Sequence, residues 1–180
     1  MSAQTAAKRT PTPEQIHAAY EAHKSDFDYL LGDWEFVATS KQYGKSNGRW
    51  STVRLATGQI LDEYRLIDDK GATFYVTTTL RNYNAIRDRW ELVGMDDRNG
   101  LQDVGTGQRV GADMRLEQKF GVAGGSPNTL RIRYYNIQAN SFSWTADQST
   151  DGKTWVKDFQ QIEAKRLGPP RSLPPLVPAK

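Results

Sequence analysis

From Asp33 onward, apolar and polar residues alternate in short runs. The first five runs are Trp34–Ser40, Arg49–Ala56, Ile60–Ile67, Thr73–Asn82 and Arg89–Asp97. Leu101–Gly107, Asp113–Phe120, Thr129–Gln138, Ser141–Ser149 and Thr154–Ala164 follow. A period of two is that of a β-strand, whose successive side chains point to opposite faces. Turn-forming residues punctuate the runs about every ten positions: Gly44 with Asn47-Gly48, Asp69-Lys70-Gly71, Arg98-Asn99-Gly100, Gly124-Gly125 and Asp151-Gly152. About ten strands with connections too short for crossover helices predict an antiparallel meander. Closing it into an up-and-down barrel removes the exposed edges.

Ahead of the strands, Thr12-Pro13-Glu14-Gln15 is a helix start. Thr12 is placed to cap, Pro13 suits the first helical position, and Gln15 completes a capping box. Ile16, Ala19, Tyr20 and His23 then share one face of a helix spanning 13–25, positioned to plug or cover one barrel end. Residues 1–11 read as a flexible tail and 12–166 as one domain. The Pro-rich stretch 167–180 is expected to be extended and unable to pair in a sheet.

The strand pattern also carries a hint of function. Phe74, Val76, Thr78 and Leu80 share one face; Tyr75, Thr77, Thr79 and Arg81 share the other. Leu130, Ile132 and Tyr134 oppose Arg131, Arg133 and Tyr135. Both faces are mixed, whereas a solid sandwich core gives one clean apolar face per strand. Rings and isolated polar groups on both faces fit a barrel with a lined cavity.

Composition narrows the chemistry. The chain has no Cys, so disulfides, thiolate nucleophiles and zinc–sulfur sites are excluded. Its two His, His17 and His23, both precede the strands and read as surface or packing groups. No His-based triad or two-His metal site fits within the barrel, and no metal or cofactor is expected. The net charge of +3 is misleading as a sign of nucleic-acid binding. Residues 26–164 carry 17 Lys and Arg against 19 Asp and Glu, while residues 165–180 carry 4 and 0. A nucleic-acid surface needs its basic residues massed on the folded body, so no such partner is expected. No apolar stretch approaches the roughly 18 residues of a membrane helix, and the first residues lack a signal-like apolar core. A cytoplasmic location without a membrane partner is the expectation; a homodimer is left open.

Gly32-Asp33-Trp34, opening the first strand, resembles the Gly-x-Trp motif of lipocalins and other calycins. That resemblance implies that Trp34 packs across the closed barrel end, with Arg166 or Lys165 as the basic residue lying over it. A narrower similarity runs from Phe27 to Arg166. It rests on Phe27–Trp34, Gly58 with Leu61-Asp62-Glu63-Tyr64, Tyr83-Asn84 with Arg89-Trp90, Met95-Asp96 with Gly100, and Ser149–Trp155. This ordered set resembles a bacterial lipocalin-like family of unknown function, which implies a fold but no activity. Related haem-binding barrels that handle nitric oxide use a His late in the barrel; here there is none. The motifs of cofactor-free phenolic-acid decarboxylases and allene-oxide cyclases are absent too.

Acid–base work in such a barrel would fall to Asp, Glu, Tyr, Arg or Lys. One neighbour of the Asp62-Glu63 pair must face inward, where burial raises a carboxyl pKa. Glu63 is the catalytic candidate here, with Arg54 as its partner. A second cluster is Trp144 and Asp147 beside Arg131, Arg133 and Tyr135, able to clamp an aromatic ligand. The catalytic candidates are therefore Glu63, Asp147 and Tyr135. The expected ligand-binding residues are Trp50, Arg54, Tyr64, Tyr75, Trp90, Met95, Arg133 and Trp144. Ser149–Trp155 reads as a hairpin staple, and Gly94, Gly105 and Gly107 as strand bends or bulges.

Three functions fit this pattern: a binder of a small apolar or aromatic molecule, a cofactor-independent lyase, isomerase or cyclase, and an interaction module with a filled barrel. A buried carboxylate or Tyr facing open cavity space would favour the enzyme. A wholly apolar lining would favour the binder, and no cavity would leave the module.

Overall fold

The computed structural model describes residues 10–174. The remaining parts of the two expected tails, 1–9 and 175–180, lie outside the described residues. Helix α1 (Pro13–His23) starts at the predicted capping box, with both Thr12 and Gln15 bonds formed. A single 3-10 turn, Asp28–Leu30, follows. Ten strands then form the barrel: β1 (Gly32–Ser40), β2 (Gly44–Arg54), β3 (Ile60–Ile67), β4 (Thr73–Asn84), β5 (Arg89–Asp96), β6 (Gly100–Val110), β7 (Asp113–Phe120), β8 (Asn128–Tyr135), β9 (Ser141–Ser149) and β10 (Val156–Gly168). Each pairs antiparallel with the next, and β10 closes on β1 through Trp34↔Arg166, Phe36↔Ala164 and Ala38↔Ile162. The architecture is a closed, ten-stranded, all-β antiparallel barrel with one short helix.

The register fixes which side chains face the lumen. In β1 these are Trp34, Phe36 and Ala38, each buried. Following cross-strand partners from Trp34 leads inward to Trp50 and Tyr64, and from Tyr64 to Thr77. Rings dominate one half of the lumen. Phe27 meets Trp90 edge-on at 5.0 Å, and Trp34 meets Phe142 at 4.8 Å. The plug of this end is Asp26–Leu31 rather than α1 itself. Phe27 and Leu30 are fully buried, while α1 buries no residue and docks through Ala19 and Tyr20. Burying each such large apolar side chain contributes about 1.5–3 kcal/mol. Trp34 donates its indole N–H to Leu30 O at 2.8 Å, so the plug is also hydrogen-bonded to the barrel. Arg166, not Lys165, lies over the Trp34 ring at 4.1 Å. It donates to Leu31 O at 2.6 Å and Tyr29 O at 3.0 Å.

Three local expectations change. Gly48 is not a turn residue: β2 runs through it, because a Cβ there would lie 2.0 Å from the Phe36 ring that packs on it. Strand β8 ends at Tyr135, since Asn136 adopts a left-handed φ of 50°. The stretch after Arg166 does pair. β10 continues to Gly168, and a two-residue strand β11 (Arg171–Ser172) runs parallel to Val53–Arg54 of β2. β1 pairs with β2 only as far as Thr52, which leaves that edge of β2 unoccupied beyond it. The prolines lack N–H groups, but the segment between them keeps its own. Arg171 adds an ion pair to Asp33 at 2.7 Å.

Candidate functional site

The half of the lumen away from the plug holds a cavity of about 120 Å³. It lies toward the end carrying the β1–β2, β3–β4 and β5–β6 hairpins. Its walls are aromatic, and Trp50, Tyr64, Tyr75, Phe120, Tyr134 and Trp144 all contribute. Tyr64 meets Trp50 edge-on at 5.3 Å and Tyr75 at 6.3 Å. Gln160 donates to the Tyr64 hydroxyl at 3.3 Å and Gln102 to the Tyr75 hydroxyl at 2.7 Å. Burial pushes both phenols up from their ordinary pKa, so they stay neutral across the physiological range.

The floor is polar and follows one cross-strand row. Asp62 pairs with Thr79, Thr79 with Gly94, and Gly94 with Asp103. Asp62 is fully buried and ion-paired with the equally buried Arg81. Asp103 lies across the bare backbone of Gly94, where any Cβ would collide with its carboxylate. Gly94 is therefore a seat for Asp103, and the β5–β6 bulge follows immediately after it. Gly105 and Gly107 are likewise close approaches, to Gln118 and Leu116, rather than bends.

Asp103 is 2% exposed and accepts one hydrogen bond from Gln118, at 2.9 Å. Burial raises its pKa from the ordinary carboxyl range to about 6, against the opposing pull of Gln118 and Arg81. Several buried polar atoms here have no hydrogen-bond partner among the described residues: Trp50 Nε1, Asp62 Oδ1 and Arg81 Nε. The floor thus holds two carboxylates and one guanidinium, which pairs with Asp62. No group of three His, Asp or Glu side chains able to hold a metal occurs among the described residues.

The predicted site residues divide by face. Trp50, Tyr64, Tyr75 and Trp144 come together around the cavity. Trp90 faces inward but belongs to the plugged end, where its indole N–H donates to Asp26 at 3.2 Å. Arg54 sits at the plugged rim, bonded to Asp28 and to Gly58 O rather than to an inward carboxylate. Glu63 faces outward and pairs with Arg65; its neighbour Asp62 is the inward group and Arg81 its partner. Met95 faces outward and is 45% exposed.

Asp147, Arg133 and Tyr135 also face outward. Tyr134↔Trp144 is the inward pair of β8 and β9, which turns Tyr135 and Asp147 to the other surface. There Asp147 holds the β10 bulge by accepting from Lys157 Nζ at 2.6 Å and the Asp158 N–H at 2.9 Å. Arg133 bonds Asp113 at 2.8 Å and covers the Tyr135 ring. None of these five outward side chains reaches a guest in the lumen.

Arg81, Thr79, Asp103 and Gln118 were not among the expected site residues, and of the Asp62-Glu63 pair the inward member is Asp62 rather than Glu63. Counting by twos from Trp34, Trp50 and Tyr64 would have found Asp62; Tyr75 and Tyr83 flank Arg81 at the same parity. Asp103 lies behind the β5–β6 bulge, where parity breaks and the signal is lost.

No protein family and no curated protein matches the chain in sequence. Solved structures do match in shape. The crystal structure of Rv2717c from M. tuberculosis superposes with a TM-score of 0.60 at 16% identity, over 83% of this chain and 97% of that one. At that identity the likeness bears on fold alone, and the fold the two chains share is the antiparallel β-barrel.

Proposed function

We propose that this chain is a calycin-type barrel, folded as one unit from Thr12 through β11 at Ser172 rather than only to Arg166, that holds a small molecule in the mouth half of its lumen. The observation that carries this reading is the cavity of about 120 Å³, walled by rings and floored by buried polar atoms without partners. A buried polar group left unpaired costs about 1–3 kcal/mol, a cost that a polar guest or ordered water beside it would offset. Ordinary ligand pockets run from about 300 Å³, whereas a dry cavity near 150 Å³ takes one benzene ring. At about 120 Å³ the enclosed space takes no more than about one ring, so a substituted guest, with an apolar or aromatic body and a polar end, extends from it toward the open barrel end.

Native mass spectrometry of the purified protein tests this. The expected result is a bound species of single-ring size, or tryptophan emission that shifts on titration with single-ring compounds, since Trp50 and Trp144 line the space. A bare mass together with unchanged emission across such compounds would overturn it.

A second reading is a cofactor-free acid–base enzyme in the same lumen. Asp103 favours it, being a buried carboxylate at the cavity that titrates near neutrality, as a general base or acid requires. Turnover of an identified guest that survives Asp103→Asn unchanged would remove it.

A further inference from the structure

The floor of the cavity has a charge imbalance. Arg81 is committed to Asp62, and its guanidinium lies over the Phe27 ring at 5.3 Å, on the plug side. Asp103 receives only the Gln118 amide among the described residues. The side chains facing it are Gln118 and Phe120 of β7, the bare Gly94 of β5, and Thr79 and Arg81 of β4 with Tyr75 beyond; Gln102 adjoins it on β6. Arg81 is the only cation in that set. A buried carboxylate without a matched counter-charge is costly unless something supplies the charge. The free Oδ1 of Asp62 is a second acceptor on the same floor. Aromatic faces attract cations, and a box of rings beside an acid is the chemistry that recognises ammonium groups.

We propose that the lumen is a site for a small organic cation, an arylalkylamine or similar. Its ammonium sits against Asp103 and its ring lies among Tyr64, Tyr75, Phe120 and Trp144. The ammonium carries three N–H donors, which suit the carboxylate oxygens of Asp103. Trp50 Nε1, unpaired at the same cavity, is a donor that suits a guest with an oxygen acceptor on its body or a companion water. This inference rests on the reading of the barrel as a small-molecule receptor and names the class of molecule.

The test is isothermal titration calorimetry of the full chain with benzylamine, benzyl alcohol and benzoate, probes that share a ring and differ in charge. At about pH 7.5, benzylamine is expected to bind about ten-fold or more tightly than benzyl alcohol, with benzoate weakest, the scale of one buried charge contact. Its affinity should fall as the pH drops through about 6, where Asp103 takes up its own proton. That of benzyl alcohol should stay level. Asp103→Asn should erase the preference for the amine, leave benzyl alcohol binding in place and keep or raise the melting temperature. A role for Asp103 in stability alone would leave the ranking of the probes untouched.

Binding of benzyl alcohol as tightly as benzylamine, or a preference for benzoate, overturns the cation while leaving the receptor reading intact. Failure of all three probes to bind overturns both.

Discussion

Asp62 and Glu63 are adjacent carboxylates with opposite fates. One is sealed in the lumen against Arg81 and the other pairs with Arg65 in water. Removing one member of a buried pair leaves an uncompensated charge and costs about 3–5 kcal/mol, whereas exposed pairs contribute about 0–1. Arg81→Met should therefore destabilise strongly in urea unfolding, with Asp62→Leu in the same chain recovering much of the loss. Glu63→Gln should change stability by less than about 1 kcal/mol. A one-residue error in register exchanges these two predictions, which is why the pattern of residues alone did not select the inward acid. Trp50, Tyr64, Tyr75 and Trp144 were legible as large rings within strands, although the same cue misplaces Tyr135, which faces outward. Arg166→Ala removes a cation–π contact of about 0.5–2 kcal/mol and the donors to Tyr29 O and Leu31 O. Its melting temperature should fall by roughly 5–10 °C, and Arg166→Lys should recover only part of that, lacking the planar fork.

Among elements, the strands were readable nearly end to end, because alternation and turn chemistry agree along most of the chain. The departures have local causes: Phe36 requires bare backbone at Gly48, and Asn136 turns left-handed. The segment between the two proline pairs finds an open stretch of β2. The division of labour between α1 and the Asp26–Leu31 plug was not legible, since both carry apolar residues at helical spacing. It has a measurable consequence. Deleting the chain through Lys24 removes the His23 stack on Tyr83 and the bond to Asp26, both at the rim. It should lower the melting temperature by only a few degrees. Phe27→Ala opens a void beneath Trp90 and Tyr134 and should cost about 3–5 kcal/mol.

The molecule as a whole is a barrel with one solid half and one hollow half, and its stability should depend on pH through the hollow half. Asp103 has a folded pKa near 6, raised above its unfolded value. Its stabilising contribution is therefore complete below about pH 4 and is lost as the pH rises through about 6. Asp103→Asn should abolish that slope and, at about pH 7.5, raise stability by on the order of 2–3 kcal/mol. A wild-type protein whose stability rises between those pH values, or a variant that melts lower, would contradict the assignment.

The chain enters through α1 and leaves through β11 at the same pole, the one stoppered by Phe27 and Trp34. A dye or tether attached at Pro13 or Leu173 would therefore sit at the stoppered pole. Attachment at those positions leaves free the opposite end of the barrel, toward which the cavity lies, so the protein can be held on a sensor surface by its stopper.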